Sequence, residues 1–220
     1  IGLLSKGNVH ASIEHLEALI KMAQADSVPQ IKLHLFGDGK DASPKTIHEL
    51  LGRVPREMLA TLVGRYYAMD RDQHWNLTEV AYENMVGRSG TVTQNPEPII
   101  EEAFKKGLTE EYLPAIRLGE DKTIKDGEAI VFFNYREDSI RQLAESFILK
   151  DFDKFPRENF KNLHIAAFTR YEEKLKVPVA FEADKAEITL GQVLSEAGKT
   201  QLRVAETYKY AHVTFFFNAY

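Results

Sequence analysis

Four short segments of this chain carry side chains suited to holding a small anion. They are Ser5-Lys6-Gly7-Asn8-Val9-His10, Gly37-Asp38-Gly39-Lys40-Asp41, Arg65-Tyr66-Tyr67-Ala68-Met69-Asp70-Arg71 and Asn134-Tyr135-Arg136-Glu137-Asp138-Ser139-Ile140-Arg141. A guanidinium is a planar fork that grips a carboxylate or phosphate through two parallel hydrogen bonds, whereas an ammonium acts more as a point charge. Arg65, Arg71 and Arg136, joined by Lys40, would make a positive pocket. Asp41 could accept from a hydroxyl, and the glycines flanking Asp38 would let the backbone approach the ligand. A hydroxy acid carrying phosphate fits this set of groups.

Each residue also has a simpler reading. An arginine after a strand is, taken alone, more often a solvated or salt-bridged surface residue than a clamp. His10 alone reads as a loop histidine, and Asp41 as a turn or N-cap residue ahead of Pro44. His15, His34, His48, His74 and His164 have no metal-ligand spacing and read as structural. Phe133 and Phe215-Phe216-Phe217 read as core.

What would bring the four segments together is their place after predicted strands. Short runs of β-formers at 1–5, 31–36, 59–64, 129–135, 163–169 and 201–206 alternate with helical periodicity. From Ser12 to Ala25, Ile13, Leu16, Leu19, Ile20 and Ala23 share one helical face. Further helices are predicted at 44–52, with Pro44 at the first position, and at 76–87, 97–106, 138–149 and 189–197, the last closed by Gly198. Segments 108–128 and 151–161 read as loops or short irregular elements. The pattern predicts an α/β fold, one three-layer domain with helices on both faces of a mixed or mostly parallel sheet. In such folds ligands bind at the carboxyl ends of the strands.

The chain has 220 residues, 44% of them hydrophobic, enough for a substantial core. Its net charge of -5 gives no bulk attraction for nucleic acid or an anionic membrane, so anion binding has to be local. With no cysteine, disulfides, thiolate zinc sites and cysteine nucleophiles are excluded. No apolar run approaches the roughly 20 residues of a membrane span, and a cytoplasmic protein is expected. Walker, dinucleotide-binding, Gly-x-Ser-x-Gly and His-Glu-x-x-His motifs are absent, so binding groups stand without a recognisable nucleophile or metal cage. Ile1-Gly2-Leu3-Leu4 has no initiator Met, and the chain stops on the aromatic run ending at Tyr220; both ends read as cut from a longer product.

The same segments resemble signature stretches of cofactor-independent phosphoglycerate mutases. Leu3 to His10 resembles LLSDGGVH, Gly37 to Pro44 resembles the DGRDTPP loop, and Gly64 to Asp72 is GRYYAMDRD unchanged. Phe132 to Arg136 resembles FFNFR, Val177 to Phe181 matches VPVAF, and Lys209 to Asn218 matches KYAHVTFFFN.

The resemblance implies an isomerase of glycolysis with two domains. One is a phosphatase-like domain of the alkaline phosphatase superfamily, carrying two manganese or magnesium ions and a phosphorylated serine. The other is an inserted domain that holds glycerate. Residues 1–220 would be that single inserted domain, spanning it nearly to its hinges, with no catalytic residue, metal ligand or cofactor of its own. Its substrate contacts would be His10, Lys40, Asp41, Arg65, Arg71, Arg136 and Lys209. Its partners would be 3-phosphoglycerate, 2-phosphoglycerate and the phosphatase-like domain; no nucleic acid or membrane is expected, and the protein would be a monomer. Lys40 stands where the family usually has arginine, as does Ser139, three places after Arg136; Arg141 could compensate in part. An isolated, non-catalytic phosphoglycerate-binding module or an excised folding unit is the alternative.

Overall fold

The computed structural model describes residues 1–182 and 186–219, with only the backbone described at Tyr208. The chain forms two compact units, Ile1–Phe181 and Glu182–Tyr220.

The first unit is built on β1 (Gly2–Leu4), α1 (Ile13–Ala25), β2 (Leu33–Gly37), α2 (Ile47–Leu51), β3 (Leu59–Gly64), α3 (Arg65–Ala68), α4 (Trp75–Val86), β4 (Thr91–Val92), α5 (Glu97–Lys105), β5 (Ile116–Arg117), β6 (Ala129–Phe132), α6 (Arg141–Ile148) and β7 (His164–Ala167). The main sheet has the order β1-β2-β3-β5-β4, parallel from β1 to β3 and antiparallel between β3 and β5. The expected mixed α/β sheet is therefore present. β2 and β3 are buried at every residue, as unbroken apolar strands covered on both faces are. β6 alternates exposed and buried, the mark of a strand covered on one face, and pairs in parallel with β7 in a separate two-stranded sheet.

α1 buries Ile13, Leu16 and Ile20 of its predicted face. Two helices start later than the sequence suggests. α2 begins at Ile47 because Lys45 takes a positive φ, which ends any continuity with Pro44; the carboxylate of Glu110 accepts from the amides of Lys45 (2.7 Å) and Thr46 (2.8 Å) instead. α6 begins at Arg141 because Asp138 and Ser139 are committed to side-chain contacts in the preceding turn.

β1 and β6 are linked without a full ladder. The Leu3 amide donates to the Asn134 side-chain oxygen (2.9 Å), and the buried Tyr171 hydroxyl donates to the Asn134 carbonyl (2.7 Å). The Tyr135 amide donates to the His10 carbonyl (2.9 Å), which sets the loop after β6 beside the loop after β1.

The second unit holds α7 (Leu190–Glu196) and α8 (Tyr210–Val213), with 3-10 turns at Thr207–Lys209 and Phe216–Asn218. Gly198 closes α7 as predicted: it has a positive φ, and the Lys199 amide reaches the Leu194 carbonyl at 2.8 Å. Two expectations fail here. Residues 201–206 form no strand, because Leu202 (88% exposed) and Val204 (76%) meet neither a partner strand nor a core. Phe215 is 53% exposed and Phe217 is exposed too, so this run is not core, unlike the buried Phe133; a unit this small has little interior in which to bury three aromatic rings.

His34 lies on β2, buried, with its Nδ1 2.9 Å from the Thr61 hydroxyl on β3. Burial lowers its pKa to about 3. Because the folded value lies below the unfolded one, its contribution is complete above pH 6.5 and is lost as pH falls from there toward 3. In denaturant unfolding His34 should contribute a loss of about 1.4 kcal/mol per pH unit over this range, and His34→Gln should make that limb shallower than the wild type's by this amount. Separately, Asn134→Ala strands the Leu3 amide and should cost about 1–3 kcal/mol in urea unfolding at neutral pH.

Candidate functional site

Because β1, β2 and β3 run parallel, their carboxyl ends open on one side, and the segments predicted to carry chemistry meet there. A cleft of about 600 Å³ is lined by His10, Lys40, Asp41, Arg65, Arg71 and Arg136, with Tyr66, Asp70, Asp72, His74, Glu111, Tyr112 and Ser139 among the other residues of its wall. A larger groove of about 790 Å³ lies over the exposed face of β6 and β7. Its Arg157 is spent on the carbonyls of Ser146 (3.1 Å) and Lys150 (2.9 Å). The smaller cleft gathers the acid–base and cationic groups.

Asp38, 1% exposed, organises the loop after β2. Its Oδ1 accepts from the Asp41 amide (2.9 Å) and from Arg65 Nη1 (2.7 Å), and its Oδ2 from the Ser5 hydroxyl (2.6 Å) and the Ala42 amide (2.9 Å). The glycines beside it do not serve ligand approach. A Cβ at Gly37 would run into the Glu110 carbonyl, and one at Gly39, which has φ +69, would stand only 3.0 Å from the Thr109 hydroxyl. They are glycines so that the 109–111 segment can pack against the loop.

Arg65, 7% exposed, enters the cleft at the start of α3. Its Nη1 bridges Asp38 and Asp41 Oδ1 (2.9 Å). Asp41 Oδ2 lies 2.6 Å from His10 Nδ1, while Arg65 Nη2 is 3.3 Å from the same nitrogen. The short contact with a carboxylate decides the tautomer: Nδ1 carries a proton and donates to Asp41. His10 Nε2 faces Asp138 Oδ1 at 3.3 Å, so each ring nitrogen meets a carboxylate. Burial pulls the His10 pKa down, but the bonds to Asp138 and Asp41 outweigh it and raise the pKa above its ordinary value. Burial likewise pushes the Asp41 and Asp138 carboxyls up; His10 with Arg65, and His10 with Arg136, outweigh this and hold them below the usual carboxylate range.

Arg71 and Arg136, both partly exposed, converge on Asp138, which the sequence reading did not single out. Lys40 is exposed and stands 3.7 Å from Glu111. Arg141 does not compensate for Ser139. It donates to the Tyr171 carbonyl (2.7 Å) and to Glu137 (3.2 Å), away from the cleft. Lys209 sits in the 3-10 turn Thr207–Lys209 of the second unit. Asp38 and Asp138 could have been found only by asking which anions neutralise the buried arginine and histidine.

At the mouth, Asp70, Asp72 and His74 form the one group among the described residues that brings three potential metal ligands within 4.8 Å. The sequence reading took His74 as structural and did not single out its spacing from Asp70 and Asp72. Asp70 Oδ1 is held by His74 Nδ1 (2.9 Å), and Oδ2 by the His74 amide (2.8 Å) and Gln142 Nε2 (2.9 Å). With those oxygens committed and two of the three residues exposed, the group does not fit a buried two-metal centre. No helix among the described residues is long and apolar enough to cross a membrane.

Comparison with known proteins shows what the chain is similar to. The BPG-independent PGAM N-terminus family matches residues 1–173. A 2,3-bisphosphoglycerate-independent phosphoglycerate mutase 1 of Methanosarcina barkeri is 42% identical over 99% of this chain and 45% of its own length. The Clostridioides difficile phosphoglycerate mutase is 41% identical with the same coverage. The crystal structure of Leishmania mexicana phosphoglycerate mutase at low cobalt concentration superposes with a TM-score of 0.80 at 26% identity, covering 99% of this chain and 44% of that one. The chain thus spans less than half the length of these relatives. On its family match and on these identities, the chain belongs to the BPG-independent phosphoglycerate mutase N-terminus family.

Proposed function

We propose that residues 1–220 are the substrate-binding part of a phosphoglycerate mutase that interconverts 3-phosphoglycerate and 2-phosphoglycerate in the cytoplasm. The observation that carries this reading is the convergence of Arg65, Arg71, Arg136, Lys40 and His10 on one cleft at the carboxyl ends of parallel strands. Arg71 and Arg136, partly exposed, would grip carboxylate or phosphate oxygens. Arg65 is spent chiefly on Asp38 and Asp41, so it serves the site by shaping it and by contributing charge.

Phosphoryl transfer itself belongs, in this reading, to the part of the protein outside this chain, where a serine takes the phosphate and manganese or magnesium supplies electrophilic chemistry. The residues here would retain and orient glycerate while the phosphate is off it, and help keep water from the phosphoserine. If glycerate escaped, the enzyme would act as a phosphatase. Ser139 in place of an arginine leaves the clamp one guanidinium short, with a small hydroxyl 3.4 Å from His10 Nε2. This favours weaker retention than in relatives with that arginine. The protein would act as a monomer.

Isothermal titration of the chain with 3-phosphoglycerate should give measurable heat, and Arg136→Ala should weaken binding about 30-fold, near 2 kcal/mol. No heat at millimolar ligand would count against the reading. The chain alone with manganese should form no 2-phosphoglycerate; detectable product would sink the division of labour. Stability also depends on His10. Its folded pKa lies above 6.5, so its contribution is complete below pH 6.5 and is lost as pH rises through the folded value. Thermal melts of the wild type should therefore decline as pH rises through that value, and His10→Gln should remove that part of the decline.

A further inference from the structure

We propose that Asp138 is the positioning residue of the anion cleft, its one carboxylate fixing Arg71 and Arg136 and facing His10 so that the remaining guanidinium donors point at the ligand. This rests on the reading of the cleft as an anion site. Asp138 Oδ2 accepts from Arg71 Nη1 (2.8 Å) and from the Nε (3.1 Å) and Nη2 (2.9 Å) of Arg136. Its Oδ1 lies 3.3 Å from His10 Nε2 and accepts from the Ser139 hydroxyl at 3.1 Å. Three segments far apart in sequence, the loop after β1, the turn after α3 and the loop after β6, meet on this one side chain.

The geometry distinguishes positioning from simple neutralisation. Two guanidiniums carry ten N–H donors between them, and the three bonds to Asp138 engage only the Nε–Nη2 edge of Arg136 and one nitrogen of Arg71. The Nη1 end of Arg136 and the Nε and Nη2 of Arg71 stay available for a bidentate grip. A long side chain anchored at one edge loses less rotamer freedom when a ligand takes the other. Ser139 contributes to this. A neutral hydroxyl there leaves Asp138 to two arginines, where a third guanidinium would draw on the same oxygens.

The test compares wild type, Asp138→Asn and Asp138→Glu of the chain by titration with 3-phosphoglycerate and by NMR of the His10 ring and the arginine Nε–H groups. The charged groups facing His10 are Asp41, Arg65 and Asp138, so the histidine titration reads the loss of the last directly. Asp138→Asn keeps the shape and removes the charge. It should bind about tenfold more weakly, the loss expected for one charge-assisted bond's worth of orientation. It should also lower the His10 pKa and speed exchange of the Arg136 Nε–H. Asp138→Glu should restore the His10 pKa in part, and it carries the same affinity test if the Asn variant does not fold.

Unchanged or tighter binding by the folded Asn variant overturns the proposal, because tighter binding is what removing a merely competing carboxylate would produce. If the wild type itself gives no heat, the phosphoglycerate reading fails separately. The NMR readouts then decide on Asp138: an unmoved His10 titration and an unchanged arginine signal overturn its positioning role.

Discussion

A carboxylate buried to the extent of Asp38 is tolerated only if its lone pairs are filled, since an unpaired charge out of water costs several kcal/mol. The partners that fill them shape the cleft. Ser5 ties in the end of β1, the amides of Asp41 and Ala42 wrap the loop after β2 around the carboxylate, and Arg65 brings in the start of α3. Asp41, placed by that loop, then orients His10, and His10 faces Asp138. The ion pairs form a chain of alternating charge from the sheet to the mouth of the cleft. Each member is held by the one before it.

This chain explains why the catalogue of binding groups was readable from sequence and their employment was not. That Arg65, Arg71 and Arg136 follow strands is a one-dimensional fact, and parallel strands with a common end bring such residues together. Whether a given arginine faces a ligand or a buried carboxylate depends on its burial. Arg65 is surrounded by Asp38 and Asp41, while Arg71 and Arg136 keep part of their surface exposed. Arg141 looked equivalent in sequence and instead serves the backbone at Tyr171. The glycines around Asp38 carried a true signal of close approach, but what approaches is the protein's own 109–111 segment.

The fold shows the same division. Strands rich in β-branched and apolar residues, such as β3, and helices with a clear face, such as α1, were legible because local pattern and burial agree there. β4 and β5 were not. With two residues each they have no period to detect, and β5 exists because Ile116 and Arg117 pair with β3 on one side and β4 on the other. Leu202 and Val204 show the converse, a strand-like pattern left without a partner.

The cleft also brings its own counter-ions. Asp38, Asp41 and Asp138 stand against Arg65, Arg71 and Arg136, Lys40 is opposed by Glu111, and Asp70 and Asp72 add further carboxylates to the lining beside His10. On a chain with a net charge of -5, so nearly balanced a site projects little field beyond the Debye length, about 8 Å at physiological ionic strength. An anion would therefore reach it by unsteered diffusion, at a rate only weakly sensitive to salt. Discrimination would come at close range, from whether the incoming oxygens match the guanidinium edges that the resident carboxylates leave open.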